Sequence, residues 1–247
     1  MNRFSVRGTA PEAPDVRRPK ARLESFVNVM SETSAMLRAS VPLVPHRRMA
    51  LAMSLRRMRT SDLHGDYFEF GLYRGYSFAA AQRLAERYRM APEMRFFGFD
   101  SFQGLPEPAG VDVAGEFRKG DYACSRAEVT ATLEKRRVNW ARIHLVEGWY
   151  DQSLTAKLKS TLAPGQVGVA LVDCDLYEST VPVLRFLASL VQDGSILLFD
   201  DWNCFDRSDQ KGERRAFREF LAVNPQFAAE RWISFGRRGQ AFVLHEQ

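Results

Sequence analysis

The sequence predicts an α/β fold: a mostly parallel seven-stranded sheet closed by a C-terminal antiparallel hairpin. Three observations predict it. After Gly65, short apolar runs alternate with helical patterns as far as Val223. The runs themselves are almost continuously apolar, as strands are when helices cover both faces of a parallel sheet. The last two strand-like segments flank Phe235-Gly236-Arg237-Arg238-Gly239, a hairpin signal.

The elements follow in order. Asp66–Phe70 reads as the first strand and Ser77–Arg89 as an Ala-rich helix. Met94–Phe99 is a strand ending at Asp100. Ser125–Arg137 is helical, with Ser125 and Glu128 at capping-box spacing. Arg142–Val146 and Val167–Val172 are strands, the second ending at Asp173. Pro182–Val191 reads as a helix, Ser195–Phe199 as a strand ending at Asp200 and Asp201, and Gly212–Val223 as a helix. Ala229–Ser234 and Gln240–His245 form the hairpin. In open parallel sheets ligands bind beyond the carboxyl ends of the strands. Here those ends carry Glu69, Gly71, Asp100, Gly148, Asp173 and the pair Asp200-Asp201.

The N-terminal 60 residues differ in character. Residues 1–20 are rich in Pro, Arg and Ala without apolar periodicity and read as a mobile basic tail. Leu23–Leu37 has helical apolar spacing, Pro42–Pro45 breaks it, and His46–Arg59 reads as a second, arginine-rich helix. Residues 21–60 are therefore expected to be a helical lid or oligomerisation segment, and 61–247 the main domain.

Charge sharpens this division. The 247 residues carry a formal net charge of +5 and a pI near 9.3, which invites a nucleic-acid reading. However, residues 1–60 hold 12 Lys+Arg against 4 Asp+Glu, whereas 61–247 hold 23 against 26. The basic excess is wholly N-terminal. Phe26 is the only aromatic residue in 21–60, which provides poorly for base stacking. A lid is favoured over a nucleic-acid patch, and a homo-oligomer is expected. There is no run of about 18 apolar residues to span a membrane and no secretory h-region at the start. Cys124, Cys174 and Cys204 have no metal-like spacing, so a reducing, cytoplasmic setting is expected.

Three groups of residues carry chemistry. In Glu69-Phe70-Gly71-Leu72-Tyr73-Arg74-Gly75 two glycines let the backbone approach a ligand, and the acid before them suits a cation better than a pyrophosphate. S-adenosylmethionine offers an ammonium and a sulfonium; a tight turn with two packing glycines is the plainer alternative. Asp100 closes the second strand where a carboxylate can accept ribose hydroxyls, or cap the turn Ser101–Gly104, or both. Asp173, Asp175, Asp200 and Asp201 end two successive strands. If those strands are neighbours, the carboxylates converge, and a hard cation such as Mg²⁺ relieves their repulsion. Helix capping by Asp175 and Asp201 is the alternative.

Five motifs in fixed order resemble those of the macrocin O-methyltransferase (TylF/MycF) family. They are Glu69-x-Gly71-x-x-x-Gly75, Gly98-Phe-Asp-Ser-Phe-Gln-Gly-Leu-Pro-Glu-Pro108, Val146-Glu-Gly-Trp-Tyr150, Val172-Asp-Cys-Asp-Leu-Tyr-Glu-Ser-Thr180 and Phe199-Asp-Asp201. The resemblance covers roughly residues 60–225. It implies a Rossmann-like class I methyltransferase fold and Mg²⁺-assisted methyl transfer from S-adenosylmethionine to a hydroxyl of a sugar or other natural-product intermediate. It also implies roles. Glu69, Gly71, Gly75 and Ser77 hold the methionine end of the cofactor. Asp100 takes the ribose, with Ser101 and Phe102 beside the adenine and Gly148 and Trp149 lining its pocket. Asp175, Asp200 and Asp201 bind the metal, with Asp173, otherwise assigned to the cofactor, as the alternative to Asp175. Asp175 is the preferred general base. Tyr177 and Glu178 lie on the substrate side or cap the following helix.

Of the four histidines, His46, His64, His144 and His245, none has a partner in sequence and each reads as structural or surface; His64, just before the first strand, is the alternative candidate for reaching the pocket. Two rivals remain: the same fold acting on a phenol or an amine, and a non-catalytic or RNA-binding methyltransferase-like protein. The methyl acceptor is not legible; the residues that choose it are expected in the lid and in the loop 106–122.

Overall fold

Seven strands pair in the order β3-β2-β1-β4-β5-β7-β6 in the computed structural model, which describes residues 45–113 and 115–247. The strands are β1 (Asp66–Phe70), β2 (Phe96–Asp100), β3 (Ile143–Glu147), β4 (Val167–Val172), β5 (Ile196–Phe199), β6 (Phe227–Phe235) and β7 (Gly239–Glu246). β1 to β5 run parallel, and β7 lies antiparallel between β5 and β6. This is the expected sheet and hairpin. Every residue of β1 and β4 is buried, so the continuous apolar runs mark the sheet centre.

The helices are α1 (Pro45–Thr60), α2 (Tyr76–Arg87), α3 (Arg126–Lys135), α4 (Tyr150–Ser153), α5 (Ala156–Leu162), α6 (Tyr177–Leu187) and α7 (Gly212–Val223). Alternate side chains of β1 face opposite ways. Phe68 and Phe70 stack on Phe97 and Phe99 in a core that includes Val183 and Leu184 of α6 and Phe217 of α7. On the other face Tyr67 packs on Phe96 and on Phe78 of α2. α1 buries Ala50, Leu51, Leu55 and Met58 and packs against α2. Its last turn places Arg57 over the Trp232 ring of β6. The tail 1–20 and the helix expected over 23–37 lie outside the described residues.

Two differences from expectation have physical causes. The helix expected over Pro182–Val191 is α6, which starts at Tyr177 and holds Pro182 inside it. Its start is set from outside: the Tyr177 N–H donates to the Asp112 carboxylate at 2.5 Å, a cap 65 residues away in sequence. The proline removes one donor and leaves the helix standing on its tertiary contacts. α4 and α5 fill a stretch with no strong periodicity; both lack a fully buried side chain, and Thr155 caps α5 through the Leu158 N–H. The capping box of Ser125 and Glu128 forms as expected at the start of α3.

Candidate active site

A cavity of about 610 Å³ opens at the carboxyl edge of the parallel strands, where the strand ends bring distant residues together. Its first half is built by glycines and Asp100. Gly71 follows β1 at φ +91°, and a Cβ there would lie 2.1 Å from the Asp173 carbonyl oxygen. Only glycine allows this backbone to pass so close to the end of β4. Gly75 has φ +74° and packs against Val129 and Leu133 of α3, so its role is to seat helices. The Asp100 carboxylate accepts N–H bonds from Leu72 (2.7 Å), Tyr73 (3.1 Å) and Phe102 (2.7 Å). It thereby ties the β1 turn to the β2 turn, and burial raises its pKa although those N–H groups oppose the rise. Opposite it, Gly148 and Trp149 follow β3, and the Gly148 N–H donates to the Asp100 carbonyl at 3.0 Å.

Glu69 and Ser77 lie beneath this floor and do not line the cavity. Glu69 is fully buried and accepts hydrogen bonds from the Tyr67 and Ser77 hydroxyls, each at 2.5 Å. Burial pushes its pKa up from 4.5 to about 7, against those two hydrogen bonds and Arg47.

The second half is acidic. Val172 and Phe199 are register partners on neighbouring parallel strands, so Asp173 and Asp200 emerge side by side. Carboxylate oxygens of Asp173, Asp200 and Asp201 lie within 4.8 Å of one another. Asp175 is not in this trio: it has φ 60°, lines the same cavity, is buried, and shares a hydrogen bond with Asp201. Of the two aspartates the sequence left as alternatives beside Asp200 and Asp201, it is Asp173 whose carboxylate comes within mutual reach of both. Burial first, then mutual repulsion, raises Asp173, Asp175 and Asp201 above the usual carboxylate range. Arg47 of α1 answers part of that charge. Its guanidinium donates to Asp173 (2.6 Å) and through Nε to Asp200 (3.0 Å), with a second bond from Nη2 to Asp200. Burial works against its charge, yet the two aspartates hold it firmly protonated.

A family model described as Macrocin-O-methyltransferase (TylF) matches residues 31–227. The chain belongs to this family. Two characterised relatives also match. A tetracenomycin-C rhamnosyl 4'-O-methyltransferase of Streptomyces olivaceus is 30% identical over 56% of this chain and 53% of that protein. Demethyldecarbamoylnovobiocin O-methyltransferase of Streptomyces niveus is 27% identical over 63% of this chain and 60% of that protein. The matched stretch therefore spans between half and two thirds of each relative's length. Among solved structures, the O-methyltransferase NovP superposes with a TM-score of 0.69 at 22% identity over 82% of this chain and 81% of that one. The calicheamicin methyltransferase CalS11 gives 0.67 at 21% over 96% and 99%. These likenesses establish the class I methyltransferase fold.

Within the TylF-family site, Gly71, Asp100, Ser101, Gly148, Trp149 and all four aspartates line the cavity; Gly75 and Phe102 do not. Glu178 lines it, whereas the Tyr177 hydroxyl bonds Glu219 at 2.6 Å on the surface. The histidines stand elsewhere. His64 lies on the surface before β1, at the opposite, amino edge of the sheet, beside Asp62, in keeping with the structural or surface reading. His144 stacks on Phe97.

Four residues that sequence reasoning passed over belong to the site. Arg47 is one. Tyr122 overhangs the acids in edge contact with Tyr73, and burial, then Asp175, push its phenol up to about 12. Asp112 is fully buried and accepts from Tyr177 N and from Gly212 N (3.0 Å), fastening the loop 105–122 to the first turns of α6 and α7. Glu213, in the first turn of α7, is 1% exposed and accepts from Cys174 N (3.3 Å) and Asp201 N (3.0 Å). For Asp112 the one available signal was an acid within the stretch Ala109-Gly-Val-Asp112-Val113; Glu213, between Gly212 and Arg214, carried none.

Proposed function

We propose that this protein is an S-adenosylmethionine-dependent O-methyltransferase, assisted by a divalent cation, whose acceptor is a hydroxyl of a sugar or other natural-product intermediate. The observation that carries this reading is the pairing, in one cavity, of a glycine-and-aspartate floor with three carboxylates in mutual reach. The family membership and the sugar-modifying names of the relatives support it.

The donor set fits a hard cation. Asp173, Asp200 and Asp201 present oxygen ligands only, and a guanidinium already bridges two of them. They would hold the metal, while Gly71, Asp100, Ser101, Gly148 and Trp149 would hold the cofactor, with Glu69 buried behind Gly71 beneath the floor. When bound, the cofactor supplies an electrophilic methyl group and the cation a charge that eases deprotonation of a hydroxyl.

The chain's own residues do the rest. Asp175 lines the cavity beside the trio, and as a carboxylate it would take the acceptor's proton as general base once the cation relieves the charge around it. Tyr122 stays a neutral phenol that offers a hydrogen bond and a ring face to the acceptor. Leu105, Pro106 and Trp149 give the cavity apolar walls that exclude water. Alignment of nucleophile and methyl group is then the main demand on the site.

Calorimetry with S-adenosylmethionine, with and without Mg²⁺, tests the reading, followed by mass-spectrometric detection of methylation on a panel of rhamnosides and phenols. Micromolar cofactor binding and methylation of the glycosides are expected. Absence of cofactor binding up to millimolar concentration rejects the reading, and transfer to phenols alone corrects the acceptor class.

A further inference from the structure

Glu213 lies outside the cavity and is nonetheless a fully buried carboxylate. Its two oxygens go to two different strands' ends. Oε1 accepts the N–H of Cys174, the residue after Asp173; Oε2 accepts the N–H of Asp201, the residue after Asp200. The bridge therefore spans the seam between β4 and β5 at the point where each strand delivers its acids. Both N–H groups point away from the ladder and would otherwise be buried donors without an acceptor.

The placement is costly. Asp173, Asp200 and Asp201 already repel one another, and Glu213 adds a further acid behind them. A neutral residue would avoid that repulsion. A carboxylate offers two equivalent acceptors, held rigidly apart and aimed at two backbone donors, and an amide does not: one of its ends is itself a donor. The first turn of α7 supplies a favourable field for the charge.

We infer that Glu213 is a positioning residue for the divalent cation: it fixes the spacing and orientation of Asp173, Asp200 and Asp201 from behind, without touching the ion. The inference rests on the reading that these three aspartates hold a cation. Ligand geometry held by hydrogen bonds from outside the ligand set is a general determinant of metal affinity, typically worth ten- to a hundred-fold.

The test uses the full-length protein and Mn²⁺ alone as the probe, with free Mn²⁺ followed by its electron paramagnetic resonance signal. Glu213→Gln keeps one accepting oxygen and is expected to weaken Mn²⁺ binding several-fold; Glu213→Ala keeps none and is expected to weaken it at least ten-fold. S-adenosylmethionine affinity, read by calorimetry without metal, is expected to stay within two-fold. In turnover assays the metal concentration for half-maximal rate rises, with kcat recovering at saturating metal. Unchanged Mn²⁺ affinity in folded Glu213→Gln overturns the inference, as does a parallel loss of cofactor affinity and thermal stability, the mark of a merely structural role. If Glu213→Ala does not fold, Glu213→Gln decides. If the wild type binds no Mn²⁺ up to millimolar concentration, the underlying reading falls as well; if it binds and the variants match it, only the role of Glu213 falls.

Discussion

Arg47 and Asp200 are 153 residues apart in sequence, yet the guanidinium of one closes on the carboxylate of the other through two hydrogen bonds. A third bond from Arg47 reaches Asp173. A side chain of the N-terminal basic segment thus sits between two of the three carboxylates that are in reach of one another.

A divalent ion held by these carboxylates would compete with Arg47 for the same oxygens. Arg47→Gln is expected to destabilise the metal-free protein by a few kcal/mol, because breaking a buried pair leaves uncompensated charge. It is expected to tighten Mn²⁺ binding several-fold, and added Mn²⁺ should restore the lost thermal stability. Weaker Mn²⁺ binding in the variant would show that Arg47 supports the ion instead of competing with it.

The double substitution Asp200→Ala plus Asp201→Ala is expected to abolish metal dependence and reduce turnover at least a hundred-fold, with cofactor affinity largely kept. Wild-type turnover in excess EDTA should fall likewise. Unchanged turnover in EDTA speaks against a metal-assisted reaction.

Glu69 gives a pH dependence. Its pKa of about 7 in the folded protein stands above the ordinary 4.5, so the folded state holds this proton more tightly than the unfolded chain. Its contribution to stability is complete below about pH 4.5 and is lost as pH rises through about 7, a difference on the order of 3 kcal/mol. Glu69→Gln, which keeps an oxygen for a hydroxyl donor, should flatten this fall. Thermal melts of ligand-free wild type and variant between pH 5 and 8 measure it; parallel curves would mean that other groups carry the dependence.

Asp112 holds the loop 105–122 by two backbone N–H bonds, and the same loop is pinned elsewhere by Phe117 against Leu176 and by Glu116 to Arg238 at 2.5 Å. Asp112→Ala leaves two buried donors unpaired, at about 1–3 kcal/mol each. The expected outcome is a raised KM for the acceptor with cofactor Kd within two-fold. A change confined to the cofactor Kd would remove this loop from the acceptor side.

Legibility followed the range of the forces involved. β1 and β4 are buried throughout, so their apolar runs alone marked them, and the Ser125–Glu128 box marked a helix start three residues long. Asp100, Asp173, Asp200 and Asp201 were legible because parallel strand ends carry sites, whatever holds them there. The start of α6 was not legible, since its cap comes from Asp112, far away in sequence.

The sequence by itself determined the α/β sheet with its terminal hairpin, the motifs of the TylF family, and an acid-rich strand edge. Those are matters of period, composition and order along the chain. Only the tertiary structure decided that Asp173 rather than Asp175 joins Asp200 and Asp201, that Arg47 reaches them, and that Glu213 and Asp112 brace the site from behind. Each of these depends on hydrogen bonds or charges meeting across the register of β4 and β5 or between distant loops. Such meetings are fixed by packing in space, and the linear order of residues does not encode them one by one.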